Sequence, residues 1–188
     1  LLSARAGTKR LRIWCAAAST GQEPYSLAIL LDEAKIAKDW RIDIVATDIS
    51  STAIARAAEG RYSQYEVQRG LPAQTLVRYF AQDGEHWSIS ERLRRMVRFR
   101  RFNLLDSYGW LGAMDVIFCR NAFLYFAPLA KRTCLQNLAD TLAPDGYLVL
   151  GAAETMEGAS TAFVPDDADA RGIYRKVRHP TRPVALAG

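Results

Sequence analysis

Histidine and cysteine are scarce in this chain of 188 residues, which has two of the first and three of the second. His86 and His179 stand far apart in polar surroundings and read as surface residues, with no metal centre between them. Cys15, Cys119 and Cys134 match no zinc spacing, and an odd number of cysteines argues against a disulfide framework. Two of them lie in apolar runs, so they are expected as small buried hydrophobes in a reducing cytoplasm. No apolar run reaches the ~18 residues of a membrane span. The opening LLSARAGTKRLRIW lacks the apolar core of a signal peptide, and without an initiator Met it reads as a start inside a longer gene product. The first apolar strand runs into a loop with a single glycine, Gly21, so neither a Gly-x-Gly-x-x-Gly fingerprint nor a Gly-Lys-Ser/Thr phosphate cradle is present.

What is present is an ordinary globular composition, 49% apolar and 24% charged, long enough for one domain with a full core. Net charge is +5, concentrated in ERLRRMVRFRR (91–101), where Arg92, Arg94, Arg95, Arg98, Arg100 and Arg101 fall together, and in RKVRHPTR (175–182). Such a stretch is either a solvated face or an attractor of an acidic partner, protein or nucleic acid.

Strand and helix patterns alternate, which predicts an α/β layer around a mostly parallel sheet. LRIWCAA (11–17) is the first strand, and Pro24 suits the first turn of the helix that follows. Leu27, Leu30, Leu31 and Ala34 are expected on the buried face of that helix. IDIVATDIS (42–50) is the second strand; Ser50 or Ser51 caps the next helix and Gly60 ends it. Residues 61–95 fit the alternation badly and are expected to form a small inserted β-subdomain of helix–hairpin type. RMVRFRRFNLL (95–105) and AMDVIFCRN (113–121) are further strands, the latter apolar enough to be central. Pro128 opens a helix with Leu135, Leu138 and Leu142 on one face. PDG (144–146) reads as a turn before the strand YLVLGAA, and AFVPDDADA with GIYRKV as an antiparallel hairpin at the sheet edge.

Ligands of open α/β sheets sit at the carboxyl ends of the strands. Here those ends carry the small-residue loop with Glu23 close behind it, then Asp48, Asn103, and Arg120 with Asn121. Small side chains at Ala16, Ala17, Ala18 and Ser19 allow close backbone approach. Two carboxylates repel a pyrophosphate but accept hydrogen bonds from ribose hydroxyls and neutralise an ammonium. S-adenosylmethionine has a ribose, an ammonium and a sulfonium, and no phosphate.

The motifs WCAAASTGQEPYSLA, ATDIS, GRY, RYF, FNLL, DVIFCRNAFLYF and LAPDGYLVLGAAE occur in the order seen in the CheR family of chemotaxis methyltransferases, and the chain resembles that family over about residues 11–178. The resemblance implies a doubly wound S-adenosylmethionine-dependent methyltransferase fold and methylation of glutamate side chains on chemoreceptors. S-adenosylhomocysteine is then the product. It places Ala16, Ala17, Glu23, Asp48, Asn103, Leu104, Arg120 and Asn121 at the cofactor, with Asn103 and Leu104 at the adenine end, and Tyr125 near the transferred methyl. Packing of Tyr125 beneath the next helix is the alternative. Gln22 stands where the family usually has a first Glu, and GAAE replaces Gly-His-Ser-Glu while keeping Glu154.

The resemblance also implies an N-terminal helical domain whose Asn-x-Thr-x-Phe-Phe-Arg stretch supplies an arginine near the substrate. Residues 1–10 then read as a linker remnant and 179–188 as a tail. The expected partners are cytoplasmic chemoreceptor helices, with no metal, nucleic acid or membrane insertion. The short AQDGEHW stretch suggests independence of a C-terminal receptor pentapeptide. A nucleic-acid methyltransferase is a rival reading, opposed by the lack of Asn/Asp-Pro-Pro-Tyr/Phe and Pro-Cys motifs; a non-catalytic S-adenosylhomocysteine sensor is the other.

Overall fold

The computed structural model of the chain describes residues 1–156, 158–167 and 172–177. The elements are α1 (Leu2–Arg5), β1 (Arg10–Cys15), α2 (Gln22–Glu33), α3 (Ile36–Asp39), β2 (Arg41–Asp48), α4 (Ser51–Glu59), β3 (Arg61–Ser63), α5 (Gln64–Gln68), α6 (Ala73–Tyr79), β4 (Phe80–Asp83), β5 (His86–Ile89), α7 (Glu91–Arg94), β6 (Val97–Arg101), β7 (Met114–Cys119), α8 (Pro128–Thr141), β8 (Leu142–Leu150), β9 (Phe163–Pro165) and β10 (Ile173–Lys176). A single 3₁₀ turn at Phe123–Tyr125 lies between β7 and α8.

The main sheet has seven strands in the order β6-β2-β1-β7-β8-β10-β9. The five strands from β6 to β8 are parallel, and β10 and β9 add antiparallel partners at one edge. The order reverses between β1 and β7, which opens a crevice at the carboxyl ends of those strands. The expected α/β architecture, with its antiparallel C-terminal hairpin and separate small sheet, is therefore present.

Alternation along each strand builds two cores. On β1, Trp14 faces the cluster that includes Ile117, Leu135, Leu138 and Leu148, whereas Leu11, Ile13 and Cys15 face the cluster with Tyr25, Ile29, Tyr79 and Leu93. Both faces of the sheet are covered, which is why the parallel strands read as nearly continuous apolar runs. Cys15, Cys119 and Cys134 are free thiols within these cores. The buried indole of Trp14 is paired: its Nε1 donates to Thr47 Oγ1 at 3.0 Å.

Residues 61–94 leave the sheet and form a second, antiparallel one in the order β3-β5-β4, flanked by α5, α6 and α7. Ser63 and Glu66 form a reciprocal capping box that starts α5. Arg92 pairs with Asp32 and Tyr79 Oη donates to Asp32 at 3.0 Å, so the subdomain is tied to the end of α2. His86 is exposed on β5; His179 and residues 178–182 of the second basic stretch lie outside the described residues.

Three local expectations change. The buried face of α2 is Pro24, Tyr25, Ala28 and Ile29, while Leu30 is exposed. Residues 27–31 are apolar all round, so their spacing does not choose a face; Tyr25 does, by reaching under the helix to donate to the Ala57 carbonyl at 2.8 Å. Leu142 begins β8 rather than ending α8, because its backbone pairs with Met114. Pro144–Gly146 is a bulge inside β8 rather than a turn before it: between paired positions, β7 advances from Met114 to Val116 while β8 advances from Leu142 to Tyr147. Asp145 on this bulge, together with Asp115, takes hydrogen bonds from Arg5, so α1 in the first ten residues is anchored to the sheet.

Candidate functional site

The loop after β1 is held from three sides. Ala16 N–H donates to Phe118 O at 2.7 Å, Ala18 N–H to Thr47 O at 2.9 Å, and Ser19 N–H to Asp48 Oδ2 at 2.9 Å. Ser19 takes a positive φ of 48° and Gly21 one of 94° as the residue preceding α2. Ala16 and Ala18 are buried, and their small side chains keep the turn low against the strand tips.

Asp48 ends β2 and works in both directions: Oδ2 takes the Ser19 amide and Oδ1 the Ser50 amide, each at 2.9 Å. Ser50 in turn caps α4 by accepting from Ala53 N–H. Each Asp48 oxygen keeps lone-pair capacity for a ligand hydroxyl. Glu23, on the first turn of α2, has a side chain 19% exposed and meets Arg120 Nη1 at 3.2 Å. Burial pushes its carboxyl above the ordinary range, opposed by Arg120 and by the Cys15 thiol. Cys15 and Cys119, at the tips of β1 and β7, are themselves pushed up by burial and then by nearby carboxylates. They are neutral packing residues here, not nucleophiles.

The tip of β7 is built around Glu154, which is 7% exposed. Its carboxylate accepts from three backbone amides: Asn121 at 2.7 Å, Phe123 at 2.8 Å and Gly151 at 2.8 Å. This single residue ties the loop after β8 to the loop after β7. Asn121 takes a left-handed φ of 60°, which asparagine tolerates better than most residues. Gly151 permits the close approach, since a Cβ there would lie 2.9 Å from Glu154 Oε2 and 3.0 Å from Asn121 Nδ2.

The site residues read from the sequence fall as follows. Ala16, Ala17, Asp48, Arg120 and Asn121 lie at the tips of β1, β2 and β7 or in the turns leaving them, and Glu23 lies on the first turn of α2. Asn103 lies two residues past β6, with its Oδ1 accepting from Leu105 N–H at 3.1 Å. The Leu104 side chain is buried in the core, and its carbonyl accepts from Tyr108 Oη at 2.7 Å, so only its backbone is left to line a ligand. Tyr125 is 89% exposed rather than packed under α8, beside exposed Leu124 and Leu129. Beyond Asn103, Ile49, Arg100, Arg101 and Trp110 border a shallow depression, with the Arg100 guanidinium 4.1 Å above the Trp110 ring. Glu154 stands in the sequence only as the end of GAAE with no task assigned; two of its three amide partners, Asn121 and Phe123, lie 33 and 31 positions away. Among the described residues, no three of His, Cys, Asp and Glu gather as metal ligands, and no helix is long and apolar enough to cross a membrane.

The donor set suits a nucleoside that carries an amino-acid tail. It offers carboxylates for hydroxyls and an ammonium, and small-residue backbone for close approach. The loop amides of Ala16, Ala18 and Ser19 are already spent on the protein, so they make no phosphate cradle.

Known proteins resemble the chain in sequence and in fold. It is 43% identical to the chemotaxis protein methyltransferase Cher2 of Pseudomonas putida over 80% of its own length and 56% of that protein's. It is 44% identical to chemotaxis protein methyltransferase 1 of Pseudomonas aeruginosa over 90% of its length and 64% of that protein's. The chain thus spans about three-fifths of the length of these relatives. In fold it is similar to a TehB-like S-adenosylmethionine-dependent methyltransferase from Corynebacterium glutamicum, with a TM-score of 0.53 at 14% identity over 89% of this chain and 80% of that one. Residues 1–170 match the family model described as CheR methyltransferase, SAM binding domain. With its strand-tip carboxylates and its switch point between β1 and β7, the chain belongs to the CheR methyltransferase family and carries that family's S-adenosylmethionine-binding domain.

Proposed function

We propose that this chain is the catalytic part of a protein-glutamate O-methyltransferase that acts on the cytoplasmic helices of chemoreceptors. The supporting observation is the pair of carboxylates at the switch-point crevice, Asp48 at the tip of β2 and Glu23 against Arg120, in a chain of this family. Asp48 accepts from the ribose hydroxyls and Glu23 faces the ammonium. Arg120 spends one nitrogen on Glu23 and has further donors for the ligand's carboxylate. Asn103 and the Leu104 backbone lie against the adenine end, Ala16 and Ala17 line the floor, and Asn121 closes the β7 side. When bound, S-adenosylmethionine supplies a methyl group made electrophilic by its sulfonium.

The residues of the chain have little proton chemistry to do. A substrate glutamate, with an ordinary pKa of about 4.3, is already ionised at neutral pH. The task is alignment and partial drying of that carboxylate, and orientation alone can be worth roughly 7–11 kcal/mol. In this reading the exposed Tyr125 hydroxyl donates to one carboxylate oxygen. The reading extends to a cytoplasmic setting and to receptors without a C-terminal pentapeptide. The inserted hairpin turns through only Gly84 and Glu85, which leaves no long loop to grip such a peptide.

Titration calorimetry with S-adenosylhomocysteine tests the cofactor half of the proposal. Micromolar binding to the intact chain, weakened at least about tenfold by Asp48→Ala, is expected from loss of charge-assisted hydrogen bonds at about 1.4 kcal/mol per decade. Binding unchanged in the variant would refute the assignment. Radiolabelled methyl transfer to receptor-containing membranes, compared with transfer to RNA, tests the substrate half.

A further inference from the structure

Most restraints on the loop between β1 and α2 come from the main sheet, but one does not. The Thr20 carbonyl accepts from Tyr62 Oη at 2.9 Å, and Tyr62 lies 42 positions later on β3 of the inserted sheet. The Thr20–Gly21 peptide opens α2, whose first turn carries Glu23. Its orientation therefore sets where the helix begins and where that carboxylate points. The contact is close packed. A Cβ on Gly21 would sit 3.0 Å from Ala57 Cβ and 3.1 Å from Tyr62 Oη.

We infer that Tyr62 is a positioning residue of the cofactor site, coupling the inserted three-stranded sheet to the loop that holds the ligand. The inference rests on the reading of this loop as the S-adenosylmethionine site. The hydroxyl keeps its proton and so can donate, since burial pushes its ionisation well up. The ring has its own support, from edge contacts to Tyr25 and Phe80, each at 6.3 Å between centroids. Loss of the hydroxyl alone therefore leaves the ring seated. Next to it lies a cavity of about 130 Å³ between α2 and α5, lined by Tyr25, Ile29, Tyr62, Val67, Leu71 and Phe80. With the ring still seated, the loop loses this one restraint and loosens without unfolding the domain.

The comparison uses Tyr62→Phe against Tyr25→Phe in the full chain. Tyr25 also loses a buried hydroxyl bonded to a carbonyl, that of Ala57 at 2.8 Å, but this acceptor lies on α4 and not on the loop. In calorimetry with S-adenosylhomocysteine, Tyr62→Phe should weaken binding about five- to tenfold, in line with one net hydrogen bond. Tyr25→Phe should bind like the parent while melting at a similarly lowered temperature. Without ligand, the Thr20 and Gly21 amides should exchange hydrogen faster in Tyr62→Phe alone. An affinity within twofold of the parent, or an equal loss in both variants, overturns the inference. Should the parent not bind, or Asp48→Ala bind as well as the parent, the reading of the site fails instead. The exchange comparison then decides by itself whether Tyr62 holds the loop, and unchanged exchange overturns that too.

Discussion

Glu23 is a carboxylate held partly out of water, with a guanidinium at 3.2 Å for company. Burial raises its pKa and outweighs the lowering by Arg120 and Cys15. For folding, the sign is that of a raised acid. The protonated form is the better tolerated one, so the contribution to stability is present below the ordinary value of 4.5 and is lost as pH rises through the raised one. Ligand binding runs the other way. An ammonium placed against the ionised form pulls the pKa back down, so binding releases a proton in the window that opens at the ordinary value and extends above it. Affinity for S-adenosylhomocysteine should therefore strengthen as pH rises through that acidic window and level off above it. Calorimetry over a pH series in two buffers of different ionisation enthalpy reads the released proton directly. Glu23→Gln should match the parent at the acidic end, bind more weakly above the window and lose the slope; a slope that survives in Glu23→Gln would assign the titration elsewhere.

At the scale of elements, the site depends on two loops that share one buried acid. Glu154 takes the amides of Asn121, Phe123 and Gly151 at 2.7–2.8 Å, and so fixes the turn that presents Tyr125. In Glu154→Gln, either the amide nitrogen faces one of these N–H groups or a donor goes unpaired. The cost should be about 2–3 kcal/mol, the range for losing hydrogen bonds to a buried charged group. For a domain of this size that lowers the melting temperature by roughly 5–10 °C. Calorimetric melting checks this, and transfer rate should fall further than stability explains, because Tyr125 loses its platform. The pattern of strands was legible because β1, β2 and β7 are short apolar runs buried on both faces. The candidate site residues stand out in the sequence as the polar residues that end those runs. What could not be read from local sequence was pairing at a distance: Glu154 under Asn121, Tyr62 on Thr20, and Arg5 across Asp115 and Asp145. The face of α2 was misread because residues 27–31 are apolar in every direction, and only the reach of Tyr25 breaks the tie. The bulge in β8 was misread as a turn because Pro-Asp-Gly is good turn chemistry that the sheet overrides.

At the scale of the molecule, charge is the feature that packing leaves over. Net charge is +5, and residues 91–101 carry six arginines against one glutamate. Part of that is spent internally, with Arg92 on Asp32, Arg95 on Glu91 and Arg98 on Asp43. Arg94 reaches a backbone carbonyl, that of Glu59, and Arg101 reaches that of Ile49, bonds that leave their full charge uncompensated. Arg100 lies over Trp110 with its charge likewise intact. Arg101 pairs with Asp48 across β6 and β2, with Arg100 next to it, so these two stand beside the crevice, while Arg94 lies on α7 before the other end of β6. On the proposed function, an acid-rich receptor helix approaching Tyr125 passes through that field, and charge at the rim of an encounter acts on association more than on chemistry. Steering of this kind is screened once the Debye length shrinks from about 10 Å at 0.1 M salt to about 3 Å at 1 M. The KM for receptor should therefore rise several-fold over that range while kcat holds. Arg94→Ser combined with Arg100→Ser should raise KM about threefold at low salt and make no difference at high salt, because both remove uncompensated charge and neither is among the proposed cofactor contacts. Initial rates of methyl transfer to receptor membranes at graded salt measure both effects; a kcat that falls with the double substitution, or a KM indifferent to salt, would mean that the basic face is only solvated surface.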